Sequence, residues 1–299
     1  MSESCCKRGF VTIATGAEQY YQMAFELLRS YREQCVDDTP FAIICDRETP
    51  ETAAFDHAVV CHELRGSYLD KLAMYSLSPY EETIFLDADA LILADPSSLW
   101  QDFQNMGDFS CYGTALPLDS RDGWFYPEKL EEFRGKIKFG VQMHGGLYYF
   151  RKTDIGNRIF SQAKYFAEHY SEFRFAHFNK PADEPVFALA MALAGCKPCP
   201  VRNRITFYPS YEGRLQITPA GQLLMDRKPY ETVVLHFAAA NTRRFLYQYL
   251  LRLRDDKVGA KAEYWKLRLK CLPLDIKIPV VRGLKRFVKY KVLGKGKKR

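Results

Sequence analysis

The sequence predicts an α/β fold: one domain with a mixed, mainly parallel central sheet flanked by helices, followed by a basic C-terminal tail. Short β-branched runs alternate with segments of helical periodicity, the pattern of a parallel sheet covered on both faces. Of the 299 residues 47% are hydrophobic and 26% charged, enough apolar material for a sizeable core, which excludes disordered and fibrous classes. No linker long enough to split the body is present, so the domain is placed at 1–265 and the tail at 266–299.

GFVTIAT (9–15) is β-branched and apolar, a strand. The segment from Ala17 to Gln34 places Tyr20, Met23, Ala24, Leu27, Leu28 and Tyr31 at helical spacing. PFAIICD (40–46) and HAVVC (57–61) read as strands, Leu69 to Ser78 as a helix, and ETIFLD (82–87) as a strand. Asp95-Pro96 supplies a cap and first-turn pair for the helix of SSLWQDF. Residues 107–140 read as strand pieces and long loops, HGGLYYF (144–150) as a strand, and Asp154 to Tyr170 and Asp183 to Ala194 as helices. TVVLHF (232–237) is the last strand, ahead of helices at Arg243 to Leu253 and Ala262 to Leu269.

MSESCCKRGF lacks an apolar core, and no run approaches 18 uncharged apolar residues. Neither an export signal nor a membrane span is therefore read, and a cytoplasmic protein is expected. Nine cysteines without an export signal point to reduced thiols. Cys196-Lys-Pro-Cys199 is half a zinc site without a second pair.

There is no G-x-G-x-x-G after a strand, no G-x-x-x-x-G-K-[ST] and no G-x-S-x-G, so dinucleotide, P-loop and hydrolase-elbow chemistry lack their parts. Carboxylate chemistry remains. Asp87-Ala88-Asp89 sets two hard oxygen donors at the end of a strand, where ligands bind in open α/β sheets. With 18 Asp in the chain, about one D-x-D arises by chance, so context decides. Here both carboxylates interrupt an apolar run, TIFL before and ALIL after, where charge is costly unless paired or metal-bound.

Placed after DKLAMYSLSPYEETI, FLDADALIL resembles the same segment of the glycogenin-like and bacterial lipopolysaccharide galactosyltransferase-like retaining glycosyltransferases (glycosyltransferase family 8-like) of the GT-A fold. The resemblance runs over roughly 8–245 and includes FVTIAT, Lys71, HGGLYYF, Asp183-Glu184 and His236. It implies that Asp87, Asp89 and His236 hold Mn²⁺ or Mg²⁺ on the diphosphate of a UDP-sugar, with Ala88 beside the donor. Ile13, Ala14, Thr15 and Tyr20 match the uridine subsite, Lys71 a basic residue facing the donor phosphates, and Gly145 and Gly146 the start of a strand lining the sugar pocket. Asp183 and Glu184 match an Asp-Gln pair near the reacting carbon, and they are the catalytic candidates.

Three departures from the family pattern stand out. The late H-x-x-G-x-x-K reads His236-Phe-Ala-Ala239-Ala-Asn-Thr242, so Arg243 or Arg244 is left to supply the missing phosphate-binding charge. An Asn before the glycines is His144, and the Gln is Glu184. Outside the resemblance, Asp183 could act as a helix cap, His236 as a core histidine, Lys71 as a solvated charge and Gly145-Gly146 as a bulge.

The reaction expected is hexose transfer from a UDP-sugar to an acceptor hydroxyl, with retention, on a saccharide or lipid-linked glycan. A catalytically silent nucleotide-sugar sensor or scaffold is the alternative, favoured by the missing Gly and Lys after His236. A sugar nucleotidyltransferase fits less well, because TGAEQYY is not the Gly-rich basic loop such enzymes place after the first strand.

The net charge is +7, yet nine of the 43 Lys and Arg lie in residues 282–299 with no acid, so residues 1–281 hold 34 basic against 36 acidic side chains. Basicity belongs to the tail, which disfavours nucleic acid as a partner of the whole domain. Leu284, Phe287, Val288 and Val292 with Lys285, Arg286, Lys289 and Lys291 make a basic amphipathic pattern, expected to attach the protein peripherally to an anionic membrane surface on the inner face.

Overall fold

A computed structural model describes residues 7–126, 130, 133, 135–173, 175, 180–200 and 203–287, with side chains to 281. Cys5, Cys6 and most of the basic stretch, including Val288, Lys289, Lys291 and Val292, lie outside the described residues, and the side chains of Leu284, Lys285, Arg286 and Phe287 are not described. The chain forms two compact units, Met1–Thr206 with Thr232–His236, and Phe207–Glu231 with Phe237–Arg299.

In the first unit the elements are β1 (Arg8–Ala14), α1 (Glu18–Gln34), β2 (Phe41–Cys45), β3 (His57–Val60), a 3₁₀ segment Tyr68–Ala73 running into α2 (Met74–Leu77), β4 (Glu82–Leu86), β5 (Ala90–Ile92) and α3 (Ser97–Phe103). Then come β6 (Phe109–Ser110), β7 (Gly113–Leu116), β8 (Gly140–Met143), β9 (Leu147–Arg151), α4 (Asp154–Glu168) and α5 (Asp183–Ala194). The six-stranded sheet has the order β3-β2-β1-β4-β9-β6. The first four strands are parallel, whereas β9 runs antiparallel to both β4 and β6. The sheet is therefore mixed and mainly parallel.

Period-2 alternation sends successive residues to opposite faces of this sheet. Phe85, Tyr148 and Phe150 enter the core built with α4 and α5, through Ile159, Phe160, Val186 and Phe187. Ile84, Leu86, Leu147 and Tyr149 face the other way, into a core with Leu27 and Leu28 of α1 and Leu99, Trp100 and Phe103 of α3. Antiparallel register pairs Leu86 with Leu147, and Asp87 N–H donates to Gly146 O at 3.0 Å, which fixes where the chain leaves β4.

β10 (Ile205–Phe207), β11 (Leu215–Ile217), β12 (Leu223–Met225), β13 (Lys228–Pro229) and β14 (Val234–His236) follow, and α6 (Phe245–Asp255) and α7 (Lys257–Phe287) come last. β14 returns to the first unit and pairs antiparallel with β5, setting His236 opposite Ala90. In the second unit β11, β12 and β13 form an antiparallel meander. There Phe245 and Tyr249 of α6 pack against Tyr264 of α7.

Three elements differ from the sequence expectation. The helix at 69–78 is mostly a 3₁₀ segment, because Ser67 and Asp70 close a capping box and the Asp70 carboxylate also accepts from Arg65 and Gly66 N–H, which tightens the chain at its start. The strand expected at 144–150 begins only at Leu147, with Gly145-Gly146 in a turn. The short helix at 262–269 is part of a 31-residue helix that continues past Pro273 and Pro279.

Candidate functional site: a cluster of acids, a lysine and two histidines

Asp87, Ala88 and Asp89 occupy the tight connection from β4 to β5, closed by Ala90 N–H donating to Asp87 O at 3.0 Å. Because β14 pairs with β5, His236 reaches the same point. Its Nε2 lies 2.8 Å from Asp89 Oδ1 and 3.5 Å from Asp87 Oδ2. Among the described residues, these three form the one His/Cys/Asp/Glu group whose ligand atoms all lie within 4.8 Å of one another; Cys196 and Cys199 belong to no such group. Asp89 Oδ1 is buried against the His236 imidazole. Two carboxylates and an imidazole whose ligand atoms converge in this way fit a divalent cation such as Mn²⁺ or Mg²⁺.

Lys71 is 8% exposed and is not a solvated helix charge. Its Nζ lies 2.8 Å from Asp87 Oδ1 and 3.1 Å from Asp183 Oδ2, and it donates to Gly145 O at 2.9 Å. Burial opposes its charge, but Asp183 and Asp87 outweigh that penalty and raise the ammonium above its ordinary value. Asp183 is the first residue of α5, and the cap position is Ala182. The Asp183 carboxylate accepts from Tyr148 O–H at 2.8 Å and pairs with Lys71. Glu184 Oε1 accepts from Gly145 N–H at 2.8 Å. Burial, then the neighbouring Asp183 charge, pushes Glu184 up to about 7, and the Gly145 N–H offsets only part of this.

The other groups are shifted by the same two forces. Burial raises Asp87, and Lys71 and His236 offset part of that. Asp89 is also pushed up by burial, yet the adjoining His236 brings it below its ordinary value. His236 in turn is lowered by burial and raised further by Asp89 and Asp87, for a net rise. His144 is held well below its ordinary value by burial, then by His236 and Lys71. It therefore stays neutral, its Nδ1 accepting from Gly146 N–H at 2.9 Å and its Nε2 facing His236 Nδ1 at 3.5 Å.

Gly145 and Gly146 are glycines for want of space. A Cβ on Gly145 would lie 2.6 Å from Glu184 Cγ, and one on Gly146 would collide with the His236 ring. The turn thus threads between the acid pair and the histidine.

The segment matched to a uridine subsite lies at the end of β1. Ala14 and Thr15 are buried, and Ile13 and Tyr20 half-buried. Thr15 O–H donates to Asp70 Oδ2 at 3.0 Å, and Gly66 and Ser67 N–H donate to the same oxygen at 2.8 and 3.1 Å. Asp70 therefore ties this loop to the segment that carries Lys71. Neither Asp70 nor Tyr148 was singled out in the sequence; S-x-x-D at 67–70 is the capping signal that marks Asp70, whereas nothing local marks Tyr148.

In the second unit, Arg243 is exposed. Arg244 is buried, bonded to Glu212 and 3.0 Å from Asp275 Oδ1, so its charge is committed within that unit. Ala238, just after His236, takes φ 55°, a conformation costly for any residue but glycine.

No protein-family model and no curated protein matches the sequence. Among solved structures, the apo WbbM bifunctional glycosyltransferase aligns at TM-score 0.53 and 11% identity over 91% of this chain and 53% of that one, so the chain spans about half its length. Mouse xyloside xylosyltransferase 1, apo form, aligns at TM-score 0.49 and 11% identity, over 78% of this chain and 98% of that one. The galactosyltransferase LgtC, in complex with donor and acceptor sugar analogs, aligns at TM-score 0.49 and 11% identity over 88% and 96%. The likeness is one of fold: the chain has the mixed α/β architecture of the GT-A glycosyltransferases.

Proposed function

We propose that this chain is a divalent-metal-dependent glycosyltransferase that moves a hexose from a UDP-sugar to an acceptor hydroxyl, with retention, on a saccharide or lipid-linked glycan. The observation that carries the reading is the joining of Asp87, Asp89 and His236 to the acid pair Asp183-Glu184 through one buried lysine. Transfer breaks the bond between the anomeric carbon and the diphosphate oxygen and forms a bond from that carbon to the acceptor oxygen. A divalent ion held by Asp87, Asp89 and His236 would neutralise charge growing on the leaving UDP. The side chains do the rest.

Lys71 adds positive charge on the same side, in a setting where burial strengthens electrostatics. Asp183, held by Tyr148 and Lys71, is the carboxylate placed to stabilise positive charge at the anomeric carbon. Glu184, protonated below about pH 7, holds the Gly145-Gly146 turn against α5 and leaves its second oxygen for a sugar hydroxyl. Ile13, Ala14, Thr15 and Tyr20 take the uridine, with Ala88 along the donor. Residues 282–299 add an anionic membrane surface as a partner at the cytoplasmic face.

Calorimetry with UDP tests the reading: binding that requires Mn²⁺ and is lost in Asp87→Asn supports it, and metal-indifferent binding or none opposes it. A second reading, a silent nucleotide-sugar sensor, is favoured by Ala239 and Thr242 at the positions of the family's Gly and Lys. It predicts the same binding without turnover.

A further inference from the structure

Helix α7 carries two apolar faces. Ala260, Tyr264 and Cys271 are buried on one, where Tyr264 O–H donates to Ile217 O at 2.9 Å. On the far side Val258, Trp265, Leu269, Leu272, Ile276 and Val280 are exposed, Trp265 and Leu269 each at 68%. At about 100° per residue these six fall within an arc of about 80°. Exposed basic residues line both edges of this stripe, Lys261 and Arg268 along one, Lys266, Lys270 and Lys277 along the other. The two acids of the helix are turned to the unit's own arginines: Glu263 pairs with Arg252 at 3.3 Å and Asp275 with Arg244 at 3.0 Å. The stripe's flanks are therefore cationic, and residues 282–299 continue that charge.

We propose that this face of α7 docks in the headgroup layer of an anionic lipid bilayer, its six apolar side chains inserted and its two basic rows on lipid headgroups. An exposed apolar band with a tryptophan between rows of lysine and arginine is the pattern of an interfacial helix. A second copy of the chain is a poorer occupant, since two such faces meeting would set cationic rows against each other. Among the described residues no helix is long and apolar enough to cross a membrane, so attachment is to a surface. The inference extends the membrane contact proposed for residues 282–299 and does not depend on sugar transfer, which has its own readout.

The full chain is sedimented with vesicles of phosphatidylglycerol mixed with phosphatidylcholine, and with phosphatidylcholine alone, while tryptophan emission is followed. Binding to the anionic vesicles with a blue shift is expected, the shift vanishing in Trp265→Phe. Leu269→Glu with Ile276→Glu, both at exposed positions, lowers partitioning by about tenfold or more and leaves thermal unfolding and UDP binding in place. No vesicle binding overturns the proposal. So does binding unaffected by the double variant, the mark of attachment by 282–299 alone, and so does a dimer that Trp265→Glu dissociates.

Discussion

Lys71 and Asp183, more than a hundred residues apart, meet at 3.1 Å in the interior of the first unit, and the same ammonium lies 2.8 Å from Asp87. One cation thus balances an acid from each half of the cluster. Lys71→Met leaves both carboxylates buried without their partner. Removing one member of a buried ion pair costs about 3 to 5 kcal/mol, so urea denaturation of this variant shows a midpoint well below wild type. Asp183→Asn in the Lys71→Met background recovers part of the loss, because one uncompensated charge is gone.

Glu184 makes stability fall as pH rises. Its carboxyl goes from 4.5 in the unfolded chain to about 7 in the folded one, so the folded state holds a proton that the unfolded state has lost between those values. Below pH 4.5 there is no penalty, and above 7 it is complete, at most about 3 kcal/mol. Glu184→Gln removes this slope: denaturation at pH 8 finds the variant more stable than wild type, and at pH 4 the two converge.

Metal affinity runs the other way. Asp89 and Asp87 raise His236 against its burial, so an incoming ion must displace a proton that the acids favour. The thermal shift induced by Mn²⁺ shrinks as pH is lowered through and below the ordinary histidine range. His236→Ala abolishes the shift at every pH.

Gly145→Ala tests the packing of the turn. The new Cβ lies 2.6 Å from Glu184 Cγ, with Tyr148 Oη 3.0 Å away on a ring that is itself buried. Overpacking of this kind costs about 1 to 3 kcal/mol, read by thermal unfolding. The pH slope assigned to Glu184 also steepens, because the Gly145 N–H bond that partly offsets the rise of its carboxyl is disturbed.

The order of elements was legible because apolar periodicity reports burial locally: β1, α1, β4 and α5 lie within a residue or two of their expected limits. The D-x-D and His236 were legible as residue types, the first from charge in an apolar run and the second only through family resemblance. The bridging role of Lys71 was not readable, since its partners Asp87 and Asp183 are brought to it by β4 and by α5, far apart in sequence. Tyr148 was hidden for the same reason: in LYYF it reads as a core aromatic, and only the β9 register against β4 turns its hydroxyl toward Asp183. Strand limits at 145–146 failed because a glycine pair reads equally as strand or turn until the side chains of Glu184 and His236 occupy the space.

The reaction proposed for the cluster is metal-dependent sugar transfer from a UDP-sugar. The direct measurement is nucleotide release when the purified protein is incubated with Mn²⁺ and a panel of UDP-, GDP- and CMP-sugars, alongside Asp89→Ala. Release of UDP from one UDP-sugar that stops on chelation and is absent in Asp89→Ala is the predicted result. Absence of release from every donor, together with no metal-dependent stabilisation by UDP, would contradict it.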